Sequence, residues 1–189
     1  MDIKSVYSQG VTFSEYMEAW PQAIKESKDT ELGDYVKINY SRSNRWIKRK
    51  PWRKMADWQR LPGTGINEEW LILTEYWCGD AAHILPVLED VAAACGVQPR
   101  YILRDEHPNV MDAFLTNGAR SIPKLIRLTV DSFEVVDVWG PRPQPAQNAY
   151  EQLKQTTSDI SMILEEMQKW YNENKGFRVL QEMVVQLKS

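Results

Sequence analysis

Cys78 stands in the run Trp77-Cys78-Gly79-Asp80, where an apolar stretch, Trp70-Leu-Ile-Leu-Thr74, gives way to Ile84, Leu85, Leu88, Val91 and Ala92 at helical spacing. A cysteine at a helix N-terminus faces unpaired backbone N–H groups and the positive end of the helix dipole, and both favour thiolate over thiol. Cys78 is therefore the candidate nucleophile, a single reactive thiol. Two neighbours bear on it. Asp80 suits the dipole but disfavours a thiolate beside it, so its two effects oppose. His83, one turn on, would support the thiolate if protonated, although a histidine there is more often a solvated or core-edge residue. The other cysteine, Cys95, follows Val91-Ala-Ala-Ala94 near the end of the same helix and reads as packing. A continuous helix rising about 1.5 Å per residue holds the two sulfurs roughly 25 Å apart, whereas a disulfide needs Cα atoms within about 7 Å.

The elements that must position this site can be read from periodicity. Thr12 and Glu15 form a capping box, and Phe13, Met17, Trp20 and Ile24 predict a helix over about 13–28, bent or split by Pro21. A second helix runs from Asp34 toward Lys50, stops at Pro51, and is followed by a short amphipathic piece over 52–60. After the turn residues of Leu61-Pro-Gly-Thr-Gly-Ile66 come a buried strand at 70–74, the Cys78 helix ending at Gly96, and a strand at 100–103, which together make a βαβ unit. A short helix at 109–117 precedes two strands, 124–130 and 134–139, that should form a hairpin across Asp131-Ser132. Beyond the breakers Gly140-Pro-Arg-Pro-Gln-Pro145, a stripe of Tyr150, Leu153, Thr157, Ile160, Leu164, Met167 and Tyr171 predicts one long amphipathic helix of about six turns. Gly176 interrupts it, and Phe177, Leu180, Val184 and Leu187 mark a last short helix.

Composition narrows the class. At 189 residues, with 43% hydrophobic and 26% charged, the chain suits one domain with a sizeable core. Two cysteines and two histidines leave neither a disulfide framework nor a zinc-ligand cluster, so no metal or other cofactor is expected. The N-terminus lacks an apolar run of signal-peptide length, and no window suits a membrane span, which together predict a cytoplasmic protein. No repeat is visible.

Ser121-Ile122-Pro123 at the start of a later strand joins Trp77-Cys78-Gly79-Asp80 in a pattern that resembles the thioredoxin family. Pro86 eight residues after Cys78, an Ile-Pro pair where that family carries its cis-proline, and Gly140 closing the last strand add to the match over about 68–145. The chain is similar to a bacterial thioredoxin-like branch with a Trp-Cys-Gly-Asp-Ala-Ala run and flanking helices. The resemblance implies an α/β fold, a thioredoxin-like mixed sheet flanked by helices. It would divide into an N-terminal helical extension (1–66), a core (67–145) and a C-terminal helical extension (146–189). It implies a cis Ile122–Pro123 bond presenting the Ile122 backbone to a substrate, with Trp77, Gly79, Asp80, Ile122 and Pro123 lining the site around catalytic Cys78. Two parts of the family's machinery are missing. Ala81 stands where the resolving cysteine belongs, and Ile72 where a buried carboxylate moves protons, so dithiol reductase activity is not expected. A monothiol oxidoreductase remains, forming mixed disulfides with a protein or a low-molecular-weight thiol. The alternative is a non-catalytic protein-binding module in which Cys78 is a buried relic.

Charge adds two further candidates. Arg104-Asp105-Glu106-His107 follows the central strand, where Arg104 and Asp105 are placed to pair beside the Ile122-Pro123 loop, and Arg120 and Lys124 flank that loop with positive charge. Such cations favour an acidic or glutathione-like partner. Residues 38–60 carry eight basic side chains against Asp57, a +7 segment within a chain of net charge −3. Interleaved with Tyr40, Trp46, Trp52 and Trp58, this collar invites a nucleic-acid reading. A solvated face, or a match to the acidic remainder of the chain, is the simpler account. The oligomeric state is not legible.

Overall fold

A computed structural model describes residues 2–188. Helices α1 (Ile3–Gln9), α2 (Phe13–Ser27) and α3 (Gly33–Arg49) lead through two short 3-10 turns, Pro51–Lys54 and Ala56–Arg60, into the sheet region. There follow β1 (Glu68–Thr74), α4 (Gly79–Cys95), β2 (Arg100–Leu103), α5 (Pro108–Ala113), β3 (Lys124–Thr129) and β4 (Val135–Trp139), then α6 (Gln144–Thr156), α7 (Ile160–Asn174) and α8 (Phe177–Gln186). The four strands lie in the order β2-β1-β3-β4, with β2 parallel to β1 and the other pairings antiparallel. Central β1 is buried from Trp70 to Thr74, as a strand covered on both sides must be.

Several boundaries differ from the sequence reading, each for a local reason. Helix α1 has no strong periodicity and escaped notice; Asp2 caps it by accepting from the Ser5 N–H. Helix α2 runs unbroken through Pro21 behind the expected capping box. The piece over 52–60 is not one helix, because Met55 is extended between the two 3-10 turns. Helix α5 stops at Ala113 rather than running to 117, since Asn117 and Gly118 both take positive φ in a tight turn that pairs Thr116 with Ala119. The single six-turn helix beyond Pro145 is two helices. Thr157 is extended, and Asp159 opens α7 by accepting from the Ser161 and Met162 N–H groups. A side-chain acceptor there competes with helix continuation, which a hydrophobic stripe alone does not register.

One continuous core joins the sheet to both terminal helical segments: Trp20, Val36 and Trp46 on the N-terminal side, and Ile163, Met167, Leu180 and Met183 on the C-terminal side. Behind the start of α4, Tyr16 stacks on Tyr76 at 4.5 Å between ring centroids. Helix α3 is fastened along α4 by a polar seam with a helical repeat. Asn39 donates to the Tyr76 carbonyl, Ser43 to the Ala82 carbonyl, Trp46 Nε1 to His83 Nδ1, and Lys50 to Asp90. The buried Asp90 carboxylate also accepts from Trp52 Nε1 and from Arg53.

Candidate functional site

The turn from β1 into α4 makes Cys78 the N-cap residue of that helix. Its Sγ accepts from the Ala81 N–H at 3.4 Å, where a serine or aspartate oxygen more often sits. The thiol donates to the Ile122 carbonyl at 3.5 Å, across from a cis Ile122–Pro123 peptide. Gly140 closes the back of this loop: its φ is +112°, and a Cβ there would fall 2.3 Å from the Pro123 carbonyl oxygen. Cys78 is only 6% exposed. Burial, and then the Asp80 charge, push its pKa up to about 12 against the opposing Ala81 N–H and Arg142. At neutral pH the resting group is a thiol, so the helix-start effect anticipated from sequence loses to desolvation. Cys95 is also a free, buried thiol at the far end of the unbroken α4.

Asp80 is a latch. Its carboxylate meets Arg142 at 2.6 Å and accepts from the Tyr171 hydroxyl at 2.7 Å, tying the segment after β4 and helix α7 to the first turn of α4. Tyr171 lies parallel on His83, with ring centroids 4.6 Å apart. A protonated His83 supporting the thiolate is therefore corrected. An indole N–H can only donate, so the 2.8 Å bond from Trp46 requires an unprotonated Nδ1, and the proton resides on Nε2 facing Gln168 Oε1 at 3.0 Å. Burial lowers the His83 pKa to about 3, and the ring is neutral.

The charged loop residues are largely committed to one another. Arg104 pairs with Asp105, donates to the Arg120 carbonyl at 2.9 Å and lies over the Trp77 ring at 4.7 Å, so it braces the motif loop against the cis-proline loop. Arg120 is bidentate to Asp112. Lys124 does not present charge to a partner: it is buried and bonds to Thr116 and to the Gly140 carbonyl. Sequence reasoning also passed over Glu75. This buried carboxyl accepts from the Asp105 N–H at 2.8 Å, and burial raises its pKa to about 7. Arg142 and Tyr171 were visible as a breaker residue and a stripe residue, with no signal that they meet Asp80.

Above Cys78 opens a cleft of about 870 Å³, walled by Trp77 and Ile122 below, by α3 on one side and by α6 and α7 on the other. The C-terminal helices thus form part of the site. Trp46 and Trp52 of the basic collar are buried, which leaves those rings unavailable for stacking on bases. Among the described residues there is no cluster of His, Cys, Asp and Glu fit to hold a metal, and no helix long and apolar enough to cross a membrane.

Comparison with known proteins agrees with this fold. No curated protein matches the sequence. Two solved structures match over nearly the whole chain at 13% identity. An HIV 4E10 epitope-scaffold gives a TM-score of 0.66 and covers 98% of this chain and 96% of its own. A protein of unknown function, PA1234 from Pseudomonas aeruginosa, gives 0.64 and covers 96% and 94%. At that identity the likeness concerns the fold alone. A family model described as Thioredoxin (Thioredoxin_9) matches residues 25–154. With that match and the mixed sheet, the chain belongs to the thioredoxin-like family.

Proposed function

We propose that this protein is a single-thiol thioredoxin-like protein that captures a low-molecular-weight disulfide in the cleft above Cys78. The thiol attacks one sulfur of the bound disulfide, a Cys78–S–S–R bond forms, and the other half leaves as a thiol carrying the Cys78 proton. A second thiol from solution then releases R as a new disulfide and restores Cys78. The observation that carries this reading is the placement of Cys78 as the sole sulfhydryl on the cleft floor, between the Ala81 N–H and the Ile122 carbonyl, with Ala81 where a resolving thiol would be needed. Walls supplied by α6 and α7 favour a small compound over an extended protein strand. Attack is by the minor thiolate form, and seating the disulfide against Sγ raises its effective concentration, which offsets the small thiolate fraction.

The test uses the Cys95→Ala protein incubated with glutathione disulfide, followed by intact-mass and peptide mapping. One adduct on Cys78, removed by excess thiol and absent from Cys78→Ser, is expected. Insulin-type reduction without added thiol is not. The raised Cys78 pKa favours a second reading, a non-catalytic protein-binding module. An adduct that forms in denaturant but never on the folded chain would decide for it.

A further inference from the structure

The basic collar and the cleft meet at Arg42, on the face of α3 that looks onto the start of α4. Arg42 lines the cleft, and its Nη1 would lie 3.8 Å from a Cβ placed on Gly79. It is held there by a 2.8 Å bond to Asn39 Oδ1, and Asn39 is itself fully buried and anchored to the Tyr76 carbonyl. Among the described residues no carboxylate pairs with Arg42, and burial together with the neighbouring Arg45 charge lowers its pKa. The other arginines at the cleft are matched: Arg142 by Asp80, Arg104 by Asp105 and Arg120 by Asp112. Lys154 rests on the Tyr150 ring. The acids at the cleft are occupied too, Glu151 by Gln147 and Glu165 by Lys169. Arg42 is thus a positioned, half-desolvated cation lacking a counter-charge, an arrangement that costs free energy until an anion arrives.

The rim of the same cleft is apolar and open. Leu32 and Tyr35 on the α3 side and Ile160 and Leu164 on α7 line it while remaining exposed. An exposed apolar surface beside a half-buried cation describes one ligand chemistry, and a volume of about 870 Å³ is that of a small-molecule site. We propose that the cleft binds a small amphipathic monocarboxylate, its apolar body between α3 and α7 and its carboxylate on the Arg42 guanidinium. This goes beyond the thiol reading and does not rest on it, because such a ligand needs no sulfur.

The experiment titrates the protein with octanoate, and in parallel with octanamide, following backbone amide shifts by NMR. Octanoate should move the amides around Cys78, Ile122 and the first turn of α7. Octanamide, which keeps the chain and loses the charge, should bind at least about tenfold more weakly, the scale of a charge-assisted hydrogen bond. Arg42→Gln retains a donor for Asn39 and should weaken octanoate by a similar factor, whereas Arg49→Gln, the same charge change on exposed α3 surface, should leave it unaltered. Equal binding of acid and amide, an unaffected Arg42→Gln protein, or shifts elsewhere on the surface would overturn the proposal. Since octanoate cannot form a disulfide, failure of Cys78 to form an adduct leaves this result untouched, and the converse holds.

Discussion

Free Cys78 should be a slow thiol, and its slowness can be sized. With a pKa pushed up to about 12, its thiolate fraction at pH 7 is on the order of 10⁻⁵, against roughly 10⁻¹·⁵ for an unperturbed cysteine near 8.5. A more basic thiolate is a better nucleophile, and a Brønsted slope of about 0.4–0.5 over those roughly 3.5 units recovers about one and a half decades. The remaining deficit is about two decades, before access is counted. The assay follows thione release from 2,2′-dithiodipyridine, a small neutral disulfide, by Cys95→Ala protein and by an unstructured cysteine peptide. At pH 7 the protein should react about 100-fold more slowly, and its rate should still be climbing at the alkaline limit of native structure. Asp80→Asn removes the second-largest cause of the raised pKa and should speed the reaction severalfold. A folded protein that matches the peptide at pH 7, or a rate that levels off below about pH 8, would refute the argument that desolvation overrides the helix start.

Three further outcomes concern buried titrating groups. Burial pushes the Asp90 carboxyl up, but bonds from Arg53, Lys50 and Trp52 outweigh it and hold the pKa below the ordinary aspartate value. Its contribution is therefore present above the unfolded value and is lost as pH falls through the folded one. Asp90→Ala should cost about 2 kcal/mol in urea unfolding, discounted because Lys50 and Arg53 are partly solvated, and should flatten the acid limb of stability. Glu75 has the opposite sign: with its pKa raised to about 7, stability should decline as pH rises from the ordinary carboxylate range through 7, and Glu75→Gln should abolish that slope. The imidazole ¹⁵N shifts of His83 should report the neutral Nε2–H tautomer at pH 5, and an imidazolium at that pH would contradict the Trp46–His83–Gln168 chain.

Local rules performed well where one interaction dominates. The Thr12–Glu15 capping box, the β1 run, the Gly96 stop of α4 and the strand pair before Gly140 are each visible in a few adjacent residues, and each is where the sequence placed it. Boundaries failed where a polar side chain diverts the backbone. Asp159 splits the C-terminal stripe, and Asn117-Gly118 ends α5 early. The collar shows a different limit. Its charges were legible as a sum, but their fates differ: Lys50 and Arg53 are spent on buried Asp90, Arg45 on Asn172, and Arg42 faces the cleft. Those fates follow from where each residue stands along α3 and the 3-10 turn that follows it.

By itself the sequence determined the family, the α/β order, a thiol at a helix start and the absence of a resolving partner, because these rest on residue identity and on spacing along a single element. Tertiary structure alone decided the state of that thiol. Residues far along the chain set it: Ile122 shields Sγ, and Arg142 and Tyr171 hold Asp80 close by. The same packing keeps His83 neutral, by laying Trp46 against Nδ1 and Tyr171 over the ring. Desolvation depends on the sum of what lies nearby, and residues about ninety positions apart become neighbours only once the C-terminal helices have closed over the first turn of α4.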